Sequence, residues 1–164
     1  MTPAAVVFDL DGTLVDSRPD LALAVNRMRR ELGLATLLEA TIGAMTGEGA
    51  RVLVDRALAD APPAVSRPHA LESFLAHYAT VCTFGTRPYD GIEELLPACH
   101  RRWPLALLTN KPMAMTRALV EHLGWAALFR VVVCGDSLPY RKPDGRTLLE
   151  VAAGLGVAPA AVVL

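Results

Sequence analysis

The rhythm of apolar positions changes twice along this chain, and each change marks a boundary. Ala4 to Leu10, with Val6, Val7 and Phe8 at its centre, is an apolar run after Pro3 and predicts a first strand. From Asp20 to Val81 no strand signal occurs. Leu21, Val25, Met28 and Leu32 follow at helical spacing, Ser17-Arg18-Pro19-Asp20 matches a capping box, and Gly33 suits the position just past a helix end. Helical periodicity resumes over Val52–Leu58 and at Leu71, Phe74, Leu75 and Tyr78, so the whole stretch is predicted all-helical. From Asp90 the pattern changes again. A helix over Ile92–His100, a strand over Pro104–Thr109 and a helix over Pro112–Leu123 are followed by a strand over Val131–Cys134. A helix over Arg146–Leu155, stopped by Gly156, and a strand over Ala161–Leu164 complete the series. Strands alternating with helices predict βαβ units and a parallel sheet, hence an α/β fold. Residues 1–16 and 88–164 then form a discontinuous core, and 17–87 form a helical cap inserted after the first strand.

Where the first strand runs out, the chain reads Asp9-Leu10-Asp11-Gly12-Thr13. Gly12 permits backbone angles that a side chain forbids. At the carboxyl end of a strand in an open α/β sheet, side chains face the crevice where ligands bind. Two carboxylates this close need a cation or a shared proton to relieve them. The arrangement suits a carboxylate nucleophile beside a carboxyl general acid, with a divalent metal between them. A bare Asp-x-Asp more often marks an Asp-rich turn with a helix cap; the full string after an apolar strand is more specific.

Two later segments bear on the same chemistry. Leu105-Ala106-Leu107-Leu108 ends at Thr109-Asn110-Lys111-Pro112, with Pro112 suited to the first turn of a helix. Free N–H groups at helix starts attract anions, so Thr109 and Asn110 are placed to hold phosphoryl oxygens; alone, such a pair usually only caps. Arg141-Lys142-Pro143-Asp144 precedes another predicted helix. Of sixteen basic residues fourteen are Arg, and the two Lys are Lys111 and Lys142. A compact ammonium and a planar guanidinium are not interchangeable in a site, which makes this placement suggestive.

These motifs together resemble the haloacid-dehalogenase-like phosphohydrolase superfamily, whose first motif is Asp-x-Asp-x-Thr. The resemblance implies a doubly wound parallel sheet with an inserted all-helical cap. It implies that Asp9 is the nucleophile and that Asp11 protonates the leaving oxygen and later activates water. Thr13 would orient Asp11, and Lys142 would neutralise charge on Asp9 and the phosphoryl group. Gly12, Thr13, Thr109, Asn110 and Lys111 would contact the phosphate. Mg2+ would be held by the Asp9 carboxylate and the Asp11 backbone carbonyl. Leu10 stands where ion pumps carry Lys, and Asp11 is the second acid that dehalogenating members lack. The segment Met45-Thr46-Gly47-Glu48-Gly49-Ala50 is a turn between cap helices from spacing alone. It is also similar to the cap loop of the phosphoglycolate phosphatase branch, as are Asp16-Ser17 with Pro19-Asp20, and Pro88-Tyr89-Asp90-Gly91. That similarity adds Gly47 and Gly49 to the substrate-binding candidates, and it implies Mg2+-dependent hydrolysis of a small phosphorylated metabolite, 2-phosphoglycolate first. Alternatives are a related phosphatase or mutase acting on a sugar phosphate or pyrophosphate, and an inactive fragment.

The superfamily's fourth motif, Gly-Asp-x-x-x-Asp, is not found. Gly135-Asp136-Ser137-Leu138-Pro139-Tyr140 precedes Lys142 instead of following it, and ends in Tyr140 where an acid is required. The expectation is a C-terminally truncated chain with weak Mg2+ affinity, little activity and poor solubility, Asp136 being the first substitute ligand if that is wrong. Composition narrows partners. Net charge is −1 without a basic run, so neither nucleic acid nor an anionic membrane is expected. No apolar stretch approaches the roughly 20 residues that span a bilayer. With Cys82, Cys99 and Cys134 far apart and without metal-type spacing, the expected setting is cytoplasmic. His69, His77, His100 and His122 form no ligand pattern, and oligomeric state is left open.

Overall fold

The computed structural model describes residues 3–164. Its elements run β1 (Ala5–Phe8), β2 (Val15–Asp16), α1 (Arg18–Glu31), α2 (Glu39–Gly43), α3 (Ala50–Ala57) and α4 (Arg67–Val81). They continue with β3 (Arg87–Pro88), α5 (Ile92–His100), β4 (Leu105–Leu108), α6 (Met113–His122), β5 (Phe129–Val133), α7 (Arg146–Leu155) and β6 (Val162–Val163). The chain forms two compact units, one from the segment ending at Asp16 together with Arg87–Leu164, the other Ser17–Thr86.

In the first unit four parallel strands pair in the order β5-β4-β1-β6, with Val6 opposite Leu105 and Ala5 opposite Val162. β1, β4 and β6 are continuous apolar runs, and β5 is interrupted only by the exposed Arg130, because both faces of the sheet are covered. Leu105 and Leu107 of β4 pack with Leu96 of α5 and Leu119 of α6. Ala106 and Leu108, alternating to the other face, pack with Val151 and Leu155 of α7. The sheet is therefore doubly wound, as the resemblance implied. The chain passes from β1 to β4 and β5 on one side, then crosses to β6 on the other, so the strand order reverses at β1. The crevice beside such a switch point is the ligand site of open α/β sheets.

Boundaries differ from the sequence reading where turns take over. β1 stops at Phe8, not Leu10, because the Leu10 carbonyl leaves the ladder to accept the N–H groups of Thr13, Leu14 and Val15. The last strand is confined to Val162–Val163, and β5 starts earlier, at Phe129. The antiparallel pair β2–β3, Val15 opposite Pro88 and Asp16 opposite Arg87, was not predicted. Two-residue strands carry no periodicity to read.

The second unit contains only helices, α1 to α4. The capping box expected at its start is corrected. Ser17 occupies the N-cap position of α1 without a side-chain cap hydrogen bond. The Asp20 carboxylate, 2% exposed, instead accepts from Gly85 N at 2.6 Å and from Thr86 N and Oγ1 at 2.9 and 2.6 Å. A buried anion is stabilised by the number of donors around it, and this remote turn supplies three. Asp20→Ala strands those donors and is expected to destabilise the unit by about 2–4 kcal/mol in urea denaturation. A loss under about 1 kcal/mol would contradict that account. Further along α1, Arg29 is fully buried. Its Nε donates to Ala35 O at 2.6 Å, another N–H to Ala57 O, and its fork grips Asp60 at 2.8 Å on both oxygens. The guanidinium holds the exposed Asp60 carboxyl down at about 2.

Candidate active site

The first unit brings Asp9, Asp11, Thr109, Asn110, Lys111 and Lys142 together at the carboxyl ends of β1 and β4. Leu10 and Leu14 are fully buried and pin the turn after β1 to the core. Gly12 closes that turn with φ +80°, and its N–H donates to Val15 O at 2.9 Å. The carboxylates of Asp9 and Asp11, flanking buried Leu10, stay part-exposed.

Each carboxylate meets an ammonium. Lys142 Nζ lies 2.7 Å from Asp9 Oδ1, which also accepts Leu10 N–H at 2.7 Å. Lys111 Nζ lies 3.0 Å from Asp11 Oδ1. The crowding of two acids is thus relieved by two separate cations. Thr13 is not what holds Asp11: its side chain is exposed, and no hydrogen bond from its hydroxyl occurs among the described residues.

Beyond β4, Thr109 N–H extends the ladder to Val133 O at 3.0 Å. Thr109 Oγ1 accepts Lys111 N–H at 3.2 Å, which leaves its own O–H hydrogen to donate. Asn110 Nδ2 donates to Lys142 O at 3.2 Å and ties the Lys142 loop to the end of β4. Lys111 O accepts Gly135 N–H at 3.0 Å.

Sequence reasoning set aside the Gly135-Asp136 segment, and the structure gives both residues work. A Cβ on Gly135 would lie 2.2 Å from Asn110 O, so only glycine lets the loop after β5 back the Thr109–Lys111 turn. Asp136 Oδ1 accepts Met113 N–H at 2.9 Å and caps α6, a structural task for that carboxylate. A Gly-Asp pair directly after a strand was the available signal. Gly135→Ala must push the Asn110–Lys111 backbone, and the expected result is about a 100-fold loss of kcat/KM with the fold retained. Wild-type kinetics in this variant would contradict the close packing.

Among the described residues no group of three or more His, Cys, Asp or Glu could hold a metal. The hard oxygens of Asp9 and Asp11 nonetheless suit Mg2+, which uses one or two carboxylates and completes its shell with water and phosphate oxygens. Gly47 and Gly49 lie in the helical unit, both at positive φ, and Gly49 occupies the N-cap position of α3. No helix among the described residues is long and apolar enough to cross a membrane.

A doubly wound sheet presenting two carboxylates and two ammonium groups at its switch point is the architecture of an α/β enzyme. The family model of the haloacid dehalogenase-like hydrolases matches residues 3–164, and the chain belongs to that family. It is 44% identical over 164 residues to a phosphoglycolate phosphatase of Rhodospirillum rubrum, spanning 94% of this chain and 68% of that one. It is 35% identical over 159 residues to an N-acetylmuramic acid 6-phosphate phosphatase of Pseudomonas aeruginosa, spanning 96% of this chain and 70% of that one. The crystal structure of a predicted phosphoglycolate phosphatase from Haemophilus somnus superimposes with a TM-score of 0.92 at 29% identity, over 99% of this chain and 76% of that chain.

Proposed function

We propose that the protein is a Mg2+-dependent phosphatase that converts 2-phosphoglycolate to glycolate and phosphate through an aspartyl-phosphate. The observation that carries this reading is the pairing of each motif aspartate with its own lysine at the switch point, Asp9 with Lys142 and Asp11 with Lys111. Asp9 attacks phosphorus, the bond to the leaving oxygen breaks, and that oxygen takes a proton from Asp11. Water then attacks phosphorus and gives a proton back to the Asp11 carboxylate, while the bond from the Asp9 oxygen to phosphorus breaks and frees both phosphate and the Asp9 carboxylate. Lys142 stays beside Asp9 and offsets the phosphoryl charge, while Thr109 and Asn110 donate to phosphoryl oxygens. Bound by the Asp9 carboxylate and the Asp11 carbonyl, Mg2+ would neutralise phosphoryl charge. Gly12 and Thr13 lie in the turn that carries both acids and remain phosphate-contact candidates. Gly47 and Gly49 remain substrate-binding candidates on sequence resemblance alone.

The substrate assignment rests on the 44% identical phosphoglycolate phosphatase, and the 35% identical relative supplies the competing substrate. The test is phosphate release from 2-phosphoglycolate, N-acetylmuramic acid 6-phosphate, a hexose phosphate and pyrophosphate, with Mg2+ and with a chelator. The expected result is a kcat/KM on 2-phosphoglycolate at least tenfold above the others, lost on chelation. A sugar phosphate at the top would replace the substrate; turnover undiminished by chelation would remove the metal.

A further inference from the structure

The two lysines of this chain each sit on one motif aspartate, and only Lys142 has a role in the chemistry above. Lys111 belongs by sequence among the phosphate-binding candidates. In the structure its side chain is 1% exposed and its Nζ is 3.0 Å from Asp11 Oδ1. Its backbone is held on both sides, N–H by Thr109 Oγ1 at 3.2 Å and C=O by Gly135 N–H at 3.0 Å. The Gly135 contact tolerates no Cβ, so the stem of Lys111 starts from a fixed point.

We infer that Lys111 is a positioning residue for Asp11, holding its carboxyl in the orientation from which the proton reaches the leaving oxygen, and is not a phosphate ligand. This rests on the general acid–base role proposed for Asp11. A charge-assisted hydrogen bond is roughly twice as strong as a neutral one and fixes the rotamer of a short side chain. Proton transfer tolerates little misplacement, since about 1 Å can cost about 100-fold in rate. A compact ammonium reaches one carboxylate oxygen from a covered position, which a planar guanidinium fork does not reproduce.

The leaving group discriminates. An alkyl alcohol departs only if protonated, whereas p-nitrophenolate departs without help. Lys111→Met is expected to lower kcat on the alkyl phosphomonoester that wild type turns over best by about 100-fold. In the pre-steady-state burst of p-nitrophenolate release from p-nitrophenyl phosphate, which reports the first step alone, the loss should stay below about fivefold, with inhibition by inorganic phosphate changed less than about threefold. Lys111→Arg should recover little. In an Asp11→Asn background the same change should add less than about threefold, because its route to the chemistry is gone. Equal losses in that burst and on the alkyl substrate would reduce Lys111 to a structural residue. A tenfold weaker inhibition by phosphate would make it a ligand.

Thermal melting decides the coupling without any activity. Lys111→Met leaves a carboxylate uncompensated, so Asp11→Asn combined with Lys111→Met should melt higher than Lys111→Met alone. A double variant that melts no higher overturns the inference, even where Lys111→Met folds poorly. Wild type inert toward every alkyl phosphate would overturn the proposed function, and the melts would still answer for Lys111.

Discussion

Asp9→Asn is expected to lower turnover by at least about 10⁴-fold, the scale seen when a covalent nucleophile is removed. The amide is nearly isosteric and keeps an oxygen to accept Leu10 N–H, the 2.7 Å bond that sets the side chain at the end of β1. What it loses is the negative oxygen that attacks phosphorus and the charge facing Lys142 Nζ at 2.7 Å. Melting behaviour should therefore stay close to wild type while brief exposure to radiolabelled substrate followed by acid quench leaves no label on the protein. Label retained by the variant would assign the nucleophile to another residue. Asp11→Asn should cost about 10²–10⁴-fold, and a loss below about tenfold would remove its role as general acid.

Lys142→Met carries the second large effect. Removing one preorganised positive group from a site where charge develops typically costs about 10²–10³-fold in kcat. The position of the ammonium is fixed locally, since the Lys142 carbonyl accepts Asn110 Nδ2 at 3.2 Å. From that anchor a lysine reaches Asp9, whereas arginine brings a longer, planar fork that does not occupy the same point. Lys142→Arg is therefore expected to recover less than about a tenth of the lost rate. Full recovery by arginine would mean that any positive charge near Asp9 suffices.

Along the sequence, local signals were enough for elements whose causes are local. Helix α7 spans Arg146–Leu155 and ends at Gly156 in the left-handed conformation, as periodicity and its stop signal predicted, and α5 spans the predicted Ile92–His100. The apolar runs at β1 and β4 predicted a sheet covered on both faces, and the clusters around Leu105 and Ala106 show both covers. Asp9 and Asp11 were legible as a pair because only Leu10 stands between them and a strand end precedes them.

The partners of those acids were not legible in the same way. Lys111 and Asp11 are 100 residues apart and meet only because β4 pairs beside β1. Asp20 matched a local cap, yet its carboxylate goes to Gly85 and Thr86, whose three donors outweigh one neighbouring N–H. Gly135 carried no periodicity, and its necessity arises from the approach of Asn110 O across two adjacent strand ends. The sequence by itself determined which residues could do chemistry and which segments had to be helix or strand, because those depend on residue type and spacing. Only the tertiary structure decided which cation serves which carboxylate, because strand order brings distant loops within hydrogen-bond reach.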